Sequence, residues 1–429
     1  MKITPKDIDM GNYTLKYYKC NRFTSNQINF VFETKLTKHK IYDLDMLADY
    51  LMSTNKEYKT LKEIQDKGMD LYSTSLLIDN YRIGNKLITH MTISLMDKDL
   101  VKDDYYEEAF KYLKTLLFNP NFTNGKYDET IMNRRKEAFK EDLKNRLLSP
   151  TNKSYNSLIK HAFKNTYISK DLITTSKEVD KVLDASANRV IKTYDELINK
   201  SFVGGYIFGN FEEKYIKKIK EYFKFNYVKP FDRNYSEEIS FDNIADKDVY
   251  DKDLNESVLT MIYDIKNYSK KEINLYKAIM YFINFDSGRM LHKTLRDKLN
   301  IVYSSNASLN LHSGFIVFEA FIDYKNKDKC IKGIESVLED LKDKRVVKKE
   351  LAMLRKTLKE KRLLNEELKP FYTHSVSIDY FKNNTSFDKF YEDTLKFKEE
   401  DIIKAINKLE RKVTYLYAGT KQDSKEDTF

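Results

Sequence analysis

An arginine and a tyrosine mark the stretch of this sequence that is richest in reactive side chains. Arg296 precedes Tyr303 by seven residues in RMLHKTLRDKLNIVYSSNAS (289–308), where a helical pattern ends and a strand pattern begins. A guanidinium and a phenol are both hydrogen-bond donors suited to a developing negative charge. His292 lies one turn before Arg296. It could line a cavity together with Arg296, or it could be a partly exposed structural residue.

The pattern around the pair indicates which side chains are free. On a helix, Leu291, Leu295 and Leu299 recur every fourth residue and are expected to face the core. Arg296 lies on a flank roughly 100° from the centre of that stripe and is free to point into a cavity. Strand alternation buries Val302 and exposes Tyr303. The alternative is an ordinary surface arginine beside one of 32 tyrosines.

Composition and length predict a soluble, cytoplasmic protein of two domains. The 429 residues suit two domains of roughly 200 residues each. No apolar run approaches the roughly 20 residues that span a bilayer, and the first residues lack the apolar region of a secretory signal. The two cysteines, Cys20 and Cys330, lie far apart, which fits a reducing compartment and no disulfide framework.

The net charge of +10 raises the question of a nucleic-acid partner. The basic residues alternate with acidic ones, as in NRRKEAFKEDLKNR (133–146) and KDKRVVKKELAMLRKTLKEKR (342–362). Lys and Glu three or four residues apart are typical of a solvated helix face. We therefore expect no nucleic-acid binding, although a mild positive field could attract an acidic peptide or partner.

Two segments of the chain resemble each other and indicate an internal repeat. TLKEIQDKGMDLYSTS (60–75) and TLRDKLNIVYSSNAS (294–308) share a Thr-Leu-basic-acidic start and a strand with Tyr-Ser. The repeat predicts an α+β fold of two homologous domains, each an antiparallel-rich sheet covered by helices on one face. The expected boundaries are 1–225 for the first domain, 226–257 for a linker and 258–429 for the second domain.

Hydrophobic periodicity predicts the elements of both domains. A helix over 60–67 is expected to end at Gly68, a plausible C-cap. The predicted strands are 14–18, 28–36, 69–77, 87–95, the start of 202–223, 258–265, 301–308, 315–322 and 413–419. The other predicted helices are 42–52, 103–117, 127–147, 152–164, 177–183, 186–199, the end of 202–223, 272–282, 290–299, 327–342, 346–366, 369–382 and 399–409.

The segment FDSGRMLHKTLRDKLNIVYSS (285–305) resembles the signature of the pitrilysin-like peptidases. That superfamily includes insulin-degrading enzyme and the mitochondrial processing peptidase. Two departures are visible, since Met290 stands where the family often has its first Arg and Asn300 where it has Gly. VGGYIFGNFEEKYIKKIKEYF (203–223) also resembles the end of the family's first domain. The residues that fit the second-domain signature in register are Leu291, Leu295, Arg296, Tyr303 and Ser304.

The resemblance implies a role for the pair. In pitrilysin-like enzymes the Arg and Tyr of the second domain hold the substrate backbone and the oxyanion of the tetrahedral intermediate. By this resemblance Arg296 and Tyr303 are catalytic candidates. Ser304, Ser305 and His292 are weaker candidates for substrate binding.

Zinc ligands are missing where the family has them. Active members carry H-x-x-E-H on the early helix of the first domain, with two His ligands and a Glu base. The corresponding helix here, KIYDLDMLADYLMSTN (40–55), has no His and no Glu. Glu141 stands about where the family places its third ligand, and alone it cannot hold zinc. We therefore expect no zinc in this chain.

The resemblance implies one half of a split active site. Some bacterial members divide the work between a chain with H-x-x-E-H and zinc and a chain with Arg and Tyr. Such a heterodimer would form a clamshell around a peptide, which could add as an extra strand to a sheet edge. Similar pairs are associated with elongation factor P modification, and related pairs trim leader peptides. The alternative is a catalytically inactive peptide-binding or structural homologue, like the core proteins of the respiratory cytochrome bc complex.

Overall fold

A computed structural model describes residues 5–11, 13–123, 126–184, 187–228, 237, 239–251, 254, 256–284, 290–365 and 387–419. The chain forms two compact units that interleave in sequence. The first comprises Met1–Leu147 and Lys170–Tyr235, and the second comprises Leu148–Ser169 and Ser236–Phe429.

The first unit is built on a six-stranded sheet with the strand order β1-β2-β8-β3-β5-β4. Neighbouring strands pair antiparallel except β2 and β8, which run parallel. The strands predicted over 69–77 and 87–95 are both present and pair antiparallel, and the first of them is shifted toward the C-terminus. The strands are β1 (Lys6–Asp9), β2 (Thr14–Lys19), β3 (Ser25–Lys35), β4 (Ser75–Ile83), β5 (Lys86–Met96) and β8 (Phe202–Gly209), and a separate two-residue hairpin comprises β6 (Phe122–Thr123) and β7 (Lys126–Tyr127).

The second unit repeats this order in a five-stranded sheet, β11-β12-β10-β13-β9. Its parallel pair, β13 and β9, occupies the position of β8 and β2, and β11 occupies the position of β4. The α+β fold with two antiparallel-rich sheets covered by helices is thereby confirmed. The strands are β9 (Lys247–Asp251), β10 (Ser257–Ile265), β11 (Val302–Asn310), β12 (Phe315–Ile322) and β13 (Leu409–Gly419).

Helices pack their apolar faces on these sheets. In the second unit, buried Leu, Ile, Val and Phe side chains of sheet and helices form one continuous core. The helices of the first unit, with α6 of the second, are α1 (Lys40–Leu51), α2 (Leu61–Asp70), α3 (Lys98–Val101), α4 (Tyr106–Phe118), α5 (Glu129–Leu148), α6 (Pro150–Ala162), α7 (Ser176–Leu183), α8 (Ala187–Lys200) and α9 (Glu213–Tyr222). The others are α10 (Ile273–Asn284), α11 (Met290–His292), α12 (Lys327–Asp340), α13 (Lys344–Asn365), α14 (Phe387–Lys396) and α15 (Glu399–Ile406).

Gly68 does not end its helix, so the expected C-cap is wrong. Helix α2 starts at a capping box between Thr60 and Glu63 and continues to Asp70. A Cβ on Gly68 would lie 2.8 Å from the carbonyl oxygen of Thr74. The glycine is needed for this close packing, because α2 lies against the chain that enters β4.

The segment expected to be a linker, 226–257, is not wholly irregular. Lys247–Asp251 forms β9, which pairs parallel with the last strand β13. The backbone N–H of Thr414 also donates to the carboxylate of Asp246 at 2.6 Å. The predicted helix 369–382 lies outside the described residues. None of the described helices combines the length and the apolar composition that a membrane span requires.

Candidate functional site

The helix that carries Arg296 changes its winding before it ends. Met290–His292 is α-helical, and Lys293–Lys298 continues as a π-helix. The N–H of Leu299 bonds to the carbonyl of Thr294, five residues back, at 3.1 Å. A π-turn is rare, and where it interrupts an α-helix it often lies at a functional site.

The π-turn alters which leucines reach the core. Leu291 is 1% exposed and Leu295 is fully buried, whereas Leu299 is 43% exposed. The expectation that Leu299 faces the core is therefore wrong. A π-turn holds an extra residue, which displaces the fourth residue after Leu295 toward solvent. Leu299 still reaches α12 at the edge of the core, since a Cβ on Gly333 would lie 3.2 Å from its Cδ1 atom. Leu295 packs so closely on α12 that a Cβ on Gly333 would lie 2.5 Å from its Cδ2 atom.

Asn300 turns the chain from the helix into strand β11. It adopts a left-handed conformation, with φ of +49°, at the position where the family has Gly. The N–H of Asn300 bonds to the carbonyl of Arg296 at 3.1 Å, and the N–H of Ile301 bonds to that of Leu295 at 3.0 Å. Asn tolerates this conformation better than most residues after Gly, so the substitution preserves the turn.

Arg296 joins the two sides of this turn. Its Nη1 atom donates a hydrogen bond of 2.6 Å to the carbonyl oxygen of Val302, the first residue of β11. The residue is exposed, and among the described residues its guanidinium has no other hydrogen-bond partner. A guanidinium has five N–H donors, so most of them are available to a ligand.

Tyr303 stands at an irregularity in strand β11. Val302 pairs with Ile322 and Ser304 with Phe321, so Tyr303 is an extra residue in a β-bulge. Val302 is buried and Tyr303 is 57% exposed, as the alternation predicts. The hydroxyl of Tyr303 donates to Oδ1 of Asp323 at 3.1 Å. This hydrogen bond is the main cause of the raised pKa of Tyr303, which Arg296 lowers in part.

The weaker candidates lie on either side of this junction. Ser304 is exposed, whereas the hydroxyl oxygen of Ser305 is buried and has no hydrogen-bond partner among the described residues. His292 is exposed, with Nδ1 3.6 Å from a carboxylate oxygen of Asp297. Since β11 is the outermost strand of its sheet, the structure brings Arg296, Tyr303 and both serines to one sheet edge.

Helix α1, where the family has its zinc motif, carries carboxylates that are already paired. Asp43 forms an ion pair of 2.6 Å with Arg189. Asp49 accepts two hydrogen bonds from the guanidinium of Arg135, of which the Nε bond measures 2.6 Å. Glu141 on α5 is exposed. Within the described ranges no three His, Cys, Asp or Glu side chains form a metal-binding group, and α1 does not fit zinc.

Asp45, the third aspartate of α1, has an amide as its partner. Its carboxylate accepts a hydrogen bond of 3.0 Å from Nδ2 of Asn80 on β4. Burial raises the pKa of Asp45 to about 6; Asn80 and Arg146 oppose the rise, and Asp171 adds to it. Helix α1 stands where an active member of the family binds zinc. Here its Asp45 instead bonds to β4, the outermost strand of the first sheet.

Comparison with known proteins identifies relatives of the same length. Residues 184–358 match the family model described as the Peptidase M16 inactive domain. Over 424 residues the chain is 21% identical to the "Probable inactive metalloprotease YmfF" of Bacillus subtilis (strain 168), with 96% of each protein covered.

Solved structures share the fold. A conserved protein from Enterococcus faecalis V583 superposes with a TM-score of 0.83 and 15% identity, covering 97% of this chain and 98% of that one. A peptidase M16 inactive domain from Pseudomonas fluorescens gives a TM-score of 0.70 and 9% identity, with 97% and 98% covered. Together with the sequence matches, these similarities confirm the predicted resemblance to the pitrilysin-like superfamily.

Truncation of the two leucines tests the π-turn. Leu295→Ala is expected to lower the free energy of unfolding by about 3 kcal/mol, because it leaves a cavity beneath α12. Leu299→Ala is expected to cost less than about 1 kcal/mol, since that side chain is half exposed. Urea unfolding followed by circular dichroism measures both. Equal losses would show that the helix is regular and buries both leucines.

Asp45 makes the stability of the first unit depend on pH. The folded-state pKa lies above the ordinary value near 3.8, so ionisation opposes folding and stability is lost as pH rises through about 4 to 6. Asp45→Asn retains an acceptor for Asn80 and is expected to raise the free energy of unfolding by about 2 kcal/mol at about pH 7.5, and hardly at all near pH 4.

Asp49→Asn is the matched control on the same helix. It breaks the ion pair with Arg135, and we expect it to destabilise by about 1 kcal/mol at neutral pH. Urea midpoints at the two pH values compare the variants. A destabilising or pH-independent effect of Asp45→Asn would contradict the burial of its charge.

Proposed function

We propose that this chain, an M16 homologue of the inactive type, is the non-metal subunit of a heterodimeric zinc peptidase. The observation that carries the proposal is the exposed pair of Arg296 and Tyr303 at the edge of the second sheet. A scaffold would have no need of a guanidinium and a phenol kept exposed there by a π-turn and a bulge. Helix α1, whose carboxylates are paired, leaves zinc binding to a second chain.

The two chains would share the chemistry of hydrolysis. A pitrilysin-like partner with H-x-x-E-H would supply the zinc ion and the general base. In this chain, Arg296 and Tyr303 would between them hold the substrate backbone and the oxyanion of the tetrahedral intermediate. Donors fixed in place before the reaction lower the barrier because they need no reorganisation when charge develops.

Two sheet edges offer places for an extended peptide. β4 and β11 are the outermost strands at corresponding ends of their sheets. An outermost strand has unpaired backbone N–H and C=O groups, to which a peptide can add as a further strand. β4 exposes Leu77, which is 50% accessible, and β11 exposes Ser304 and Asn306. In this proposal the two chains of the heterodimer enclose a peptide in the cytoplasm and cleave it.

A catalytically inactive peptide-binding or structural homologue is the second candidate. The ion pairs of α1 support it, because Asp43 and Asp49 make structural contacts on the helix where an active member has its zinc motif. The name of the Bacillus subtilis relative, a probable inactive metalloprotease, agrees with either candidate. The two candidate functions differ in whether peptide cleavage by the partner depends on Arg296.

Reconstitution tests the proposal. Peptide cleavage is measured for this chain, for a pitrilysin-like H-x-x-E-H chain of the same organism, and for their mixture, with zinc quantified in each. We expect activity only in the mixture and zinc only in the partner. Arg296→Ala is expected to lower kcat/KM of the mixture by about 10² to 10³, the usual loss for an oxyanion donor.

Arg345→Ala provides the control for this substitution. Arg345 is an exposed arginine on α13 that pairs with Asp343 at 2.9 Å, and its loss is expected to leave kcat/KM unchanged. A partner that is equally active alone, or a mixture indifferent to Arg296→Ala, would contradict the split site and favour the inactive homologue.

A further inference from the structure

Asp323 fixes the direction of the Tyr303 hydroxyl. It follows the last residue of β12, and its Oδ1 accepts the phenolic hydrogen at 3.1 Å. Val302 lies opposite Ile322, the residue before Asp323, so the side chain of the adjacent bulged residue Tyr303 meets Asp323 diagonally across the strand pair. A carboxylate is a stronger acceptor than a neutral oxygen, so this bond orients both the ring and its hydrogen.

We propose that Asp323 positions Tyr303 to accept a backbone N–H of the peptide, which leaves the oxyanion to Arg296. The inference rests on the proposed function and divides the work within the same site. Asp323 acts through Tyr303 and is a positioning residue.

The number of hydrogens that each side chain can donate separates the roles of Tyr303 and Arg296. A phenol has one hydrogen to donate, and in Tyr303 that hydrogen is given to Asp323. What the oxygen can offer a ligand is then a lone pair. Arg296 is its complement, because a guanidinium has only donors and one of them is used on Val302. An extended peptide presents both N–H and C=O groups. Its N–H groups match the lone pair of Tyr303, and its C=O groups match the donors of Arg296.

The local charge opposes an oxyanion at Tyr303. The carboxylates of Asp323 and Glu256 both raise the pKa of Tyr303, which shows that they disfavour negative charge on its oxygen. An oxyanion bound to the hydroxyl would meet the same repulsion and would also have to displace Asp323 from the hydrogen. Arg296 is a positive group near this edge, and it partly offsets that field.

The two roles have different kinetic signatures in the reconstituted mixture. Removing a contact made equally in ground and transition states raises KM, whereas removing an oxyanion donor lowers kcat. Tyr303→Phe is therefore expected to raise KM about fivefold to tenfold with kcat within about twofold of wild type. Arg296→Ala is expected to lower kcat.

Variants of Asp323 separate positioning from simple structural support. Asp323→Ala frees the phenol to rotate and is expected to raise KM about threefold, with no further effect in the Tyr303→Phe background. Asp323→Asn keeps an oxygen acceptor and is expected to restore KM to near the wild-type value.

A matched pair in the first unit serves as the control. Tyr72 is an exposed tyrosine whose hydroxyl donates to Asp103 at 2.9 Å, and Tyr72→Phe and Asp103→Asn are expected to leave KM and kcat unchanged. A readout without the partner is the 19F NMR titration of 3-fluorotyrosine at position 303. Its pKa is expected to fall in Asp323→Ala, because the carboxylate that raises it is gone.

Three outcomes overturn the inference. In an active mixture, a fall in kcat on Tyr303→Phe or a rise in kcat on Asp323→Ala would show that the hydroxyl donates to the oxyanion and that Asp323 competes with it. A Tyr303 pKa that is unchanged by Asp323→Ala would show that the hydrogen bond does not form. An inactive mixture would overturn the proposed function and this inference together, whereas the first two outcomes leave the proposed function standing.

Discussion

The hydrogen bond between the guanidinium of Arg296 and the carbonyl of Val302 holds together the junction on which the candidate site depends. It closes a tight connection, in which a π-turn ends, Asn300 reverses the chain in a left-handed conformation, and an outermost strand begins. The spacing of seven residues between Arg296 and Tyr303 follows from this geometry. The bond satisfies the carbonyl at the strand start and also fixes the arginine beside the exposed tyrosine.

The same supersecondary unit occurs twice in the chain and is built differently in each copy. In each unit a helix leads into the outermost strand of a sheet with the same strand order. The first copy, α2 to β4, is a regular helix with a capping box, fastened further by the bond between Asp45 and Asn80. The second copy, α11 to β11, carries the π-turn and the bulge. Both connections contain left-handed residues, Tyr72 and Ser73 in the first copy and Asn300 in the second. The π-turn and the bulge distinguish the second copy, and such irregular backbone beside Arg296 and Tyr303 agrees with a functional role there.

Much of the fold could be predicted from the sequence because it depends on local pattern. Alternation identified most strands of both sheets, and the repeated letters of 60–75 and 294–308 predicted the repeated topology that the two sheet orders show. Three expectations failed where tertiary packing overrides local rules. Leu299 leaves the core because of a π-turn that no periodicity reveals, Gly68 is kept for close contact instead of ending a helix, and β9 forms by pairing with a strand over 150 residues away.

The residues of the candidate site also fall into those that the sequence could predict and those that it could not. Arg296, Tyr303 and the lack of zinc ligands on α1 could be found from residue types, their spacing and the family resemblance. Asp323 could not, because it lies 20 residues beyond Tyr303 and reaches it only through the register of two strands and a bulge. The only signal in the sequence is its place directly after the second strand of the hairpin, and that place acquires meaning once the pairing is known.

The affinity of a phosphinic peptide, a mimic of the tetrahedral intermediate, tests the central claim most directly. Calorimetry would measure its binding to the H-x-x-E-H partner alone, with this chain, and with the Arg296→Ala variant. If this chain supplies the donor for the oxyanion, wild type should tighten binding by about 100-fold and the variant should not. Equal affinity in all three samples would contradict the account.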